Sequence, residues 1–264
     1  MIIDRKTYIE KLQRSKGNGL IKIITGLRRS GKSFLLKKLF RQHLLDDGVK
    51  EDHILIIDME SRKNKEFKDP DYLLDWVESK MLDDSTYYII IDEVQEVKNF
   101  VEVLSTLSVT EGTDVYVTGS NSRFLSSDVV TEFRGRGDEI HVWPLSFKEF
   151  MSVYESSKED GWAEYLMYGG LPQLLTQDGD EKKTDFLRHL YRTVYLRDIY
   201  ERNSIELKPE FEELSKTLAS SIGAPVNASN IANTFKSVSK VQDISDKTVS
   251  AYMGYMPVSY THLR

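Results

Sequence analysis

Short apolar runs alternate with longer segments of helical periodicity through the first half of this chain. Each run is almost entirely apolar, which is typical of a strand buried on both faces. The runs are Leu20–Thr25, His53–Asp58, Tyr87–Asp92, Asp114–Thr118 and Glu139–Trp143. Strand and helix alternating over about 140 residues predict an α/β fold with a parallel sheet and right-handed crossovers. A short amphipathic helix, Thr7–Gln13, precedes the first run.

The pattern becomes helical after Pro144, where no further apolar run of strand length follows. Three segments have helical periodicity, and glycine and proline mark the breaks between them. The predicted helices are Phe147–Tyr154, Trp162–Tyr168 and Thr184–Tyr200, with breaks at Gly169–Pro172 and Gln177–Asp180. We interpret residues 148–205 as a helical lid region that follows a core over residues 1–147.

A compact pattern of three helices occupies residues 206–256. The helices are Glu210–Ser221, Ala228–Lys236 and Lys247–Met256, with Asn227 and Ser245 or Asp246 as N-caps. A helix, a short helix, a turn and a further helix are typical of a winged-helix or helix-turn-helix unit. The residues after Met256 are too few for the β-hairpin of a wing. We therefore expect a partial winged helix and an anomalous tail, residues 257–264, at the end of a truncated product.

Composition excludes several classes of protein. With 264 residues, 40% of them hydrophobic, the chain can bury a proper core, so wholesale disorder is excluded. Its mean hydropathy is −0.42, and no apolar run approaches the roughly 20 residues of a membrane span. The absence of cysteine excludes thiolate metal sites and cysteine nucleophiles. We expect a cytoplasmic protein that does not bind membranes.

One glycine-rich motif lies directly after the first strand and before a helix. It fits the pattern G-x-x-x-x-G-K-[ST], in which backbone N–H groups converge on phosphates. Lysine at its seventh position binds the β and γ phosphates, and the final serine hydroxyl binds Mg²⁺. The motif predicts a binding site for ATP and Mg²⁺, formed by Gly26, Leu27, Arg28, Arg29, Ser30, Gly31, Lys32 and Ser33.

The third apolar run ends in Asp92 and Glu93. An apolar strand that ends in Asp-Glu is the Walker B pattern, here in the expected order after the phosphate loop. We predict that Asp92 holds Mg²⁺, together with Ser33, and that Glu93 polarises the attacking water. Lys32, Glu93 and a third residue, Arg136, form the predicted catalytic set.

Three of the predicted site residues depend on weaker signals. Ser120 and Asn121 follow the fourth strand, where a polar side chain could contact the γ-phosphate or the lytic water. A turn that caps the strand is the alternative for both. Arg136 precedes the fifth strand and could act as an arginine finger on a neighbouring subunit, which requires a homo-oligomer. A solvated loop arginine is the alternative.

These motifs and their surroundings resemble the prokaryotic AAA-type ATPases that carry a C-terminal domain of unknown function. The resemblance runs from residue 1 to about 256 and includes Val117–Ser122, Trp143–Phe150, Tyr168–Pro172 and Leu196–Arg202. It implies an ATP-binding AAA core, a helical lid and a winged-helix segment, usually followed by a restriction-endonuclease-like domain. It also implies phosphate and Mg²⁺ roles for Lys32, Ser33 and Asp92, and water activation by Glu93. The family pattern aligns only loosely around Arg136.

Three functions are compatible with these motifs. The first is an ATPase that couples hydrolysis to a conformational change acting on an unknown protein partner. The second is a slow ATP-dependent switch that regulates DNA or protein binding with negligible turnover. The third is a nucleotide or small-molecule kinase, which Glu93 disfavours because a kinase needs no water-activating carboxylate there.

Charge argues against duplex binding by residues 206–256. This segment holds five lysines and no arginine against six acidic residues, and the whole chain carries a net charge of −6. A module that grips duplex typically neutralises about 6–10 phosphates. DNA therefore stays an alternative partner, and a lid or protein-docking role is favoured for this segment.

Overall fold

The computed structural model describes residues 2–119, 133, 137–206, 208–221, 225–238 and 245–259 of the chain. These residues divide into two compact units, Met1–Thr184 and Asp185–Arg264. No helix in the described ranges is both long enough and apolar enough to cross a membrane.

The described part of the first unit contains a five-stranded parallel sheet. Its strands are β1 (Ile21–Thr25), β2 (Ile54–Asp58), β3 (Tyr87–Asp92), β4 (Thr113–Thr118) and β5 (Gly137–His141). They lie in the order β2-β3-β4-β1-β5, so β1 sits between β4 and β5. All five predicted strands and their parallel arrangement are confirmed, with ends that differ by up to two residues. This is the α/β fold of P-loop NTPases.

Two apolar cores cover the two faces of this sheet. Side chains alternate along a strand, so Ile89 and Ile91 of β3 face one core while Tyr88 and Ile90 face the other. Burial of an isoleucine side chain stabilises the fold by about 1.5–3 kcal/mol. Burial on both faces explains why the strands are nearly continuous apolar runs.

Helices flank the sheet in the described part of the first unit. They are α1 (Lys6–Ser15), α2 (Lys32–Phe34), α3 (Arg41–Asp46), α4 (Pro70–Lys80), α5 (Phe100–Val109), α6 (Phe147–Met151) and α7 (Lys158–Tyr168). A π-helical segment, Leu35–Phe40, joins α2 to α3. Segments of 3₁₀-helix occupy Glu51–His53, Arg62–Lys68, Val94–Glu96 and Pro172–Thr176.

The helix predicted over Phe147–Tyr154 is shorter than expected, because α6 ends at Met151. Its start is well defined, since Ser146 caps the helix and the Glu149 carboxylate accepts a hydrogen bond from the Ser146 N–H at 2.8 Å. At the other end, the Ser152 hydroxyl donates to the Glu149 carbonyl at 2.7 Å and closes the last turn.

Among its described residues, the second unit contains helices and the turns that connect them. Helix α8 (Asp180–Leu190) starts before the boundary and continues through π-helical Tyr191–Leu196 into α9 (Arg197–Asn203). Then follow α10 (Lys208–Ser220), α11 (Ala228–Val238) and α12 (Asp246–Ser259). Phe211, Leu214 and Val249 form the centre of their core, each fully buried. The three predicted helices are present, and α12 runs three residues beyond Met256.

Candidate nucleotide-binding site

The phosphate loop joins the end of β1 to the start of α2. Gly26 and Gly31 adopt left-handed φ values of 132° and 100°. A Cβ on Gly26 would lie 2.2 Å from the Val142 carbonyl oxygen, so only glycine fits there. Gly26 therefore lets the backbone turn tightly against Val142, the residue that follows β5.

Lys32 places its ammonium group inside this loop. Its Nζ donates to the carbonyl oxygens of Gly26 at 2.9 Å and Leu27 at 3.0 Å. Only 4% of the residue is exposed. Burial lowers the pKa of Lys32 to about 8, although the carboxylates of Glu93 and Asp92 partly oppose that shift. A buried cation enclosed by a glycine loop is suited to bind phosphate oxygens.

Asp92, at the end of β3, connects the loop helix to the neighbouring strand. Its Oδ1 accepts hydrogen bonds from the Ser33 hydroxyl at 2.8 Å and the Thr118 hydroxyl at 2.6 Å. The Ser33 oxygen keeps lone pairs available while it donates its hydrogen, so it could ligate a cation at the same time. Ser33 and Asp92 are thus brought together as the sequence predicts for Mg²⁺.

Lys37 holds the other oxygen of Asp92. Its Nζ lies 2.7 Å from Asp92 Oδ2 and 2.8 Å from Oδ2 of Asp58, at the end of β2. Burial opposes the charge, but hydrogen bonds to both aspartates raise the pKa of Lys37 above its ordinary value. Sequence reasoning missed Lys37, although its spacing of four residues from Ser33 puts the two on one helix face.

Glu93 occupies a turn directly after β3. Its backbone is left-handed, with φ 58° and ψ 54°, which is uncommon outside glycine. Its N–H donates to the Thr118 hydroxyl at 2.9 Å, and the Gln95 amide donates to its carboxylate. The residue is 7% exposed, so this carboxylate is held at the edge of the site in a defined position.

Arg28 and Glu60 add a further charged pair to the loop. Arg28 lies 3.7 Å from the Glu60 carboxylate. Burial and the nearby charge of Glu93 raise the pKa of Glu60, whereas Arg28 opposes the shift. The acidic residues at the ends of β2 and β3 therefore influence one another electrostatically.

Arg5 supports the loop from outside the predicted motif. The residue is 5% exposed and donates to the carbonyl oxygens of Ser30 at 3.2 Å and Trp143 at 2.7 Å. Its Nε lies 3.0 Å from the Glu149 carboxylate, and its Cζ lies over the Tyr8 ring, 4.5 Å from the centroid. No sequence motif marks this arginine, since its hydrogen-bond and ion-pair partners are distant along the chain.

The predicted break at Gly169–Pro172 lies beside the phosphate loop. Arg29 donates to the Gln173 side chain at 2.8 Å. The Pro172 ring approaches to 3.8 Å from where a Cβ on Gly31 would be. This segment is therefore a wall of the loop as well as a break between helices.

The predicted loop residues and the Asp92–Glu93 pair gather at one edge of the sheet. Ser30 Oγ is buried without a hydrogen-bond partner among the described residues, so a phosphate oxygen could satisfy it. Together with the glycine cradle and the buried lysine, this donor set fits a nucleotide with Mg²⁺. Ser120, Asn121 and Arg136 lie outside the described residues, and their roles stay predictions.

The fold and this loop define a P-loop NTPase. Residues 18–151, just over half of the chain, match the family described as AAA domain. The protein therefore belongs to this AAA family, as the motifs predict. Residues 159–261 match a domain of unknown function, DUF8612.

Two curated relatives align with nearly the whole chain. An uncharacterised protein of Haemophilus influenzae is 33% identical over 258 residues, covering 96% of this chain and 64% of that protein. Uncharacterised protein MJ1544 of Methanocaldococcus jannaschii is 26% identical over 256 residues, covering 91% of this chain and 55% of that protein. The chain thus spans less than two thirds of the length of either relative.

Solved structures with a similar fold include the following two. The Aeropyrum pernix ORC1 protein in complex with DNA overlaps with a TM-score of 0.45 at 11% identity, covering 98% of this chain and 84% of that one. AMPPCP-bound DnaA from Aquifex aeolicus overlaps with a TM-score of 0.41 at 11% identity, covering 97% of this chain and 88% of that one.

Proposed function

We propose that this protein binds ATP with Mg²⁺ and hydrolyses it. The observation that carries the proposal is the convergence of Lys32, Ser33, Asp92 and Glu93 at the carboxyl ends of β1 and β3. Each of these residues makes at least one hydrogen bond to another residue of the first unit, which supports the proposal. Open α/β sheets bind ligands at this edge of the strands.

The residues have distinct roles in the proposed reaction. Lys32 and the loop N–H groups bind the β and γ phosphates, while Ser33 and Asp92 hold the metal. Bound Mg²⁺ would supply positive charge against the phosphate oxygens. Glu93 orients a water molecule and accepts its proton as the water attacks the γ-phosphate, whose bond to the β–γ bridging oxygen breaks and releases ADP.

We further propose that turnover moves the segments that contact the phosphate loop. Arg5 and Gln173 each bond to this loop from another part of the first unit. A loop that shifts with nucleotide state would therefore displace both segments, and a protein partner could sense the change. An arginine finger from Arg136 of a second copy stays a hypothesis, as does the endonuclease-like domain that the resemblance implies.

The test is steady-state phosphate release with ATP and Mg²⁺, together with nucleotide binding, on the full chain. We expect Glu93→Gln to bind ATP as the parent does and to lose about 10²–10⁴-fold in turnover. Lys32→Ala serves as the binding control and should lose ATP affinity while it stays folded.

Two results would contradict parts of this proposal. A parent protein that binds ATP without releasing phosphate would favour the slow switch over the ATPase. Equal turnover in the parent and in Glu93→Gln would remove Glu93 from the mechanism.

A further inference from the structure

Lys37 joins two acidic strand ends that would otherwise repel each other. Asp58 and Asp92 are register partners on β2 and β3, so their side chains emerge beside one another. The Lys37 ammonium lies within 2.8 Å of an oxygen of each. One cation is thus shared between two carboxylates at the place where the sheet meets the phosphate loop.

The same oxygens form the donor set that a hard divalent cation prefers. Mg²⁺ and Mn²⁺ favour carboxylate and hydroxyl oxygens. Asp58 and Asp92 supply carboxylates, and Ser33 supplies a hydroxyl 2.8 Å from Asp92. Yet no group of three or more His, Asp or Glu residues within the described ranges is arranged to hold a metal ion. The ammonium of Lys37 occupies the position between the carboxylates instead.

The other charged side chains around Asp58 and Asp92 partly cancel one another's charge. Lys32 and Arg28 bring positive charge from the loop, and Glu60 and Glu93 bring negative charge from the ends of β2 and β3. Removing Lys37 therefore leaves a pocket that is more negative by one unit, beside two carboxylates that have lost their shared counterion.

We propose that Lys37 is a positioning residue whose ammonium serves as the internal counterion of Asp58 and Asp92. It keeps Asp92 turned with Oδ1 toward Ser33, and it prevents a divalent cation from binding the aspartates in the absence of nucleotide. Metal binding then depends on the phosphates that arrive with it. This inference rests on the proposed ATP and Mg²⁺ site and states how that site excludes free metal.

The test measures Mn²⁺ binding to the nucleotide-free full chain by electron paramagnetic resonance. Lys38→Met is the matched control, because Lys38 is the next residue on the same helix and is exposed. We expect the parent and Lys38→Met to bind Mn²⁺ equally weakly. Lys37→Met should bind at least about tenfold more tightly, since a neighbouring unit charge has been removed. Lys37→Arg, which keeps the charge, should resemble the parent.

A second substitution locates the ion. Adding Asp58→Asn to Lys37→Met should return Mn²⁺ affinity to the parent level, because one of the two carboxylates is lost. A gain that persists in the double variant would place the ion elsewhere and overturn the proposal. So would a folded Lys37→Met protein with parental Mn²⁺ affinity. If Lys37→Met fails to fold, Lys37→Gln applies the same test, since its amide can still donate to a carboxylate.

The Mn²⁺ experiment and the proposed ATPase activity can each fail independently of the other. The Mn²⁺ assay contains no nucleotide, so a parent protein that fails to bind ATP would sink the proposed function and leave this result readable. Conversely, parental Mn²⁺ affinity in a folded Lys37→Met protein would overturn the counterion role, whereas phosphate release by the parent protein would still support the proposed ATPase.

Discussion

Lys32 combines a buried position with a charge that phosphate binding requires. Because its pKa is lowered to about 8 in the protein alone, the ammonium form is lost as pH rises through that value. Nucleotide binding above pH 8 must then take up a proton. We predict that metal-free ATP affinity is about 25-fold weaker at pH 9.5 than at pH 7.5, as linkage to a single group requires.

The measurement is calorimetric titration in buffers of different ionisation enthalpy, which also reports the proton uptake directly. The window from pH 7.5 to 9.5 lies above the second ionisation of a phosphate group, near pH 6, so the ligand itself does not titrate. Affinity that stays constant across this window would show that Lys32 remains charged throughout.

Arg5 supports the phosphate loop, although it is not part of the nucleotide-binding motif. Replacing it with methionine removes the cation beside the Glu149 carboxylate and two hydrogen bonds to backbone carbonyls. Losing one partner of a fully buried pair costs about 3–5 kcal/mol. Glu149 is partly solvated, so we predict a loss of about 2 kcal/mol, or roughly 4–8 °C in the unfolding midpoint.

The control for Arg5→Met is Arg14→Met, an exposed arginine on α1. Thermal unfolding followed by circular dichroism should leave this control within about 0.5 kcal/mol of the parent. A similar loss in both variants would mean that the Arg5 contacts contribute nothing specific.

At the scale of elements, the junction of β1, β5 and the loop allows no side chain at Gly26. We predict that Gly26→Ala destabilises the protein by about 3 kcal/mol or more, through its overlap with the Val142 carbonyl and its left-handed backbone. ATP affinity should fall as well, because the loop begins at this residue.

Gly48→Ala separates the two causes, since Gly48 also has a left-handed φ of 86° but open space around its Cβ position. Its expected cost is about 1 kcal/mol, from backbone conformation alone. Chemical denaturation measures both variants. Equal losses would attribute the whole effect to backbone conformation and none to the contact with Val142.

At the scale of the whole molecule, a negative net charge disfavours contact with duplex DNA. The chain carries −6, and Lys247 is an exposed lysine at the start of α12. Too few cations lie in residues 206–256 to neutralise the roughly 6–10 phosphates of a duplex contact. We predict that the full chain gives no salt-dependent gel shift with duplex DNA in 50–200 mM salt, and that Lys247→Glu behaves identically.

A salt-sensitive gel shift would contradict this prediction. A shift that weakens steeply with salt and disappears in Lys247→Glu would assign duplex binding to α12. The preference for a lid or protein-docking role of this segment would then be wrong.

The strands, the phosphate loop and the Walker B pair could be predicted from the sequence alone. Each depends on residues that are contiguous or regularly spaced, so burial of a strand on both faces or a glycine-lysine loop leaves a local pattern. The same holds for the three helices after residue 206, whose apolar spacing and caps are local. The predicted and observed bounds of the elements differ by a few residues. The last turn of a helix depends on individual side-chain hydrogen bonds, such as the one from Ser152 at the end of α6.

The partners of these motifs were decided only by the tertiary structure. Thr118, Asp58 and Lys37 meet Asp92 because β2, β3 and β4 are neighbours in a definite register, which apolar runs do not reveal. Arg5 reaches Trp143 across 138 positions of the chain. Such contacts arise when separate elements pack together, and Arg5, Lys37 and Asp58 look like ordinary surface charges in the sequence. The residues that carry the chemistry of the site were therefore predictable from local sequence, whereas the residues that position them were not.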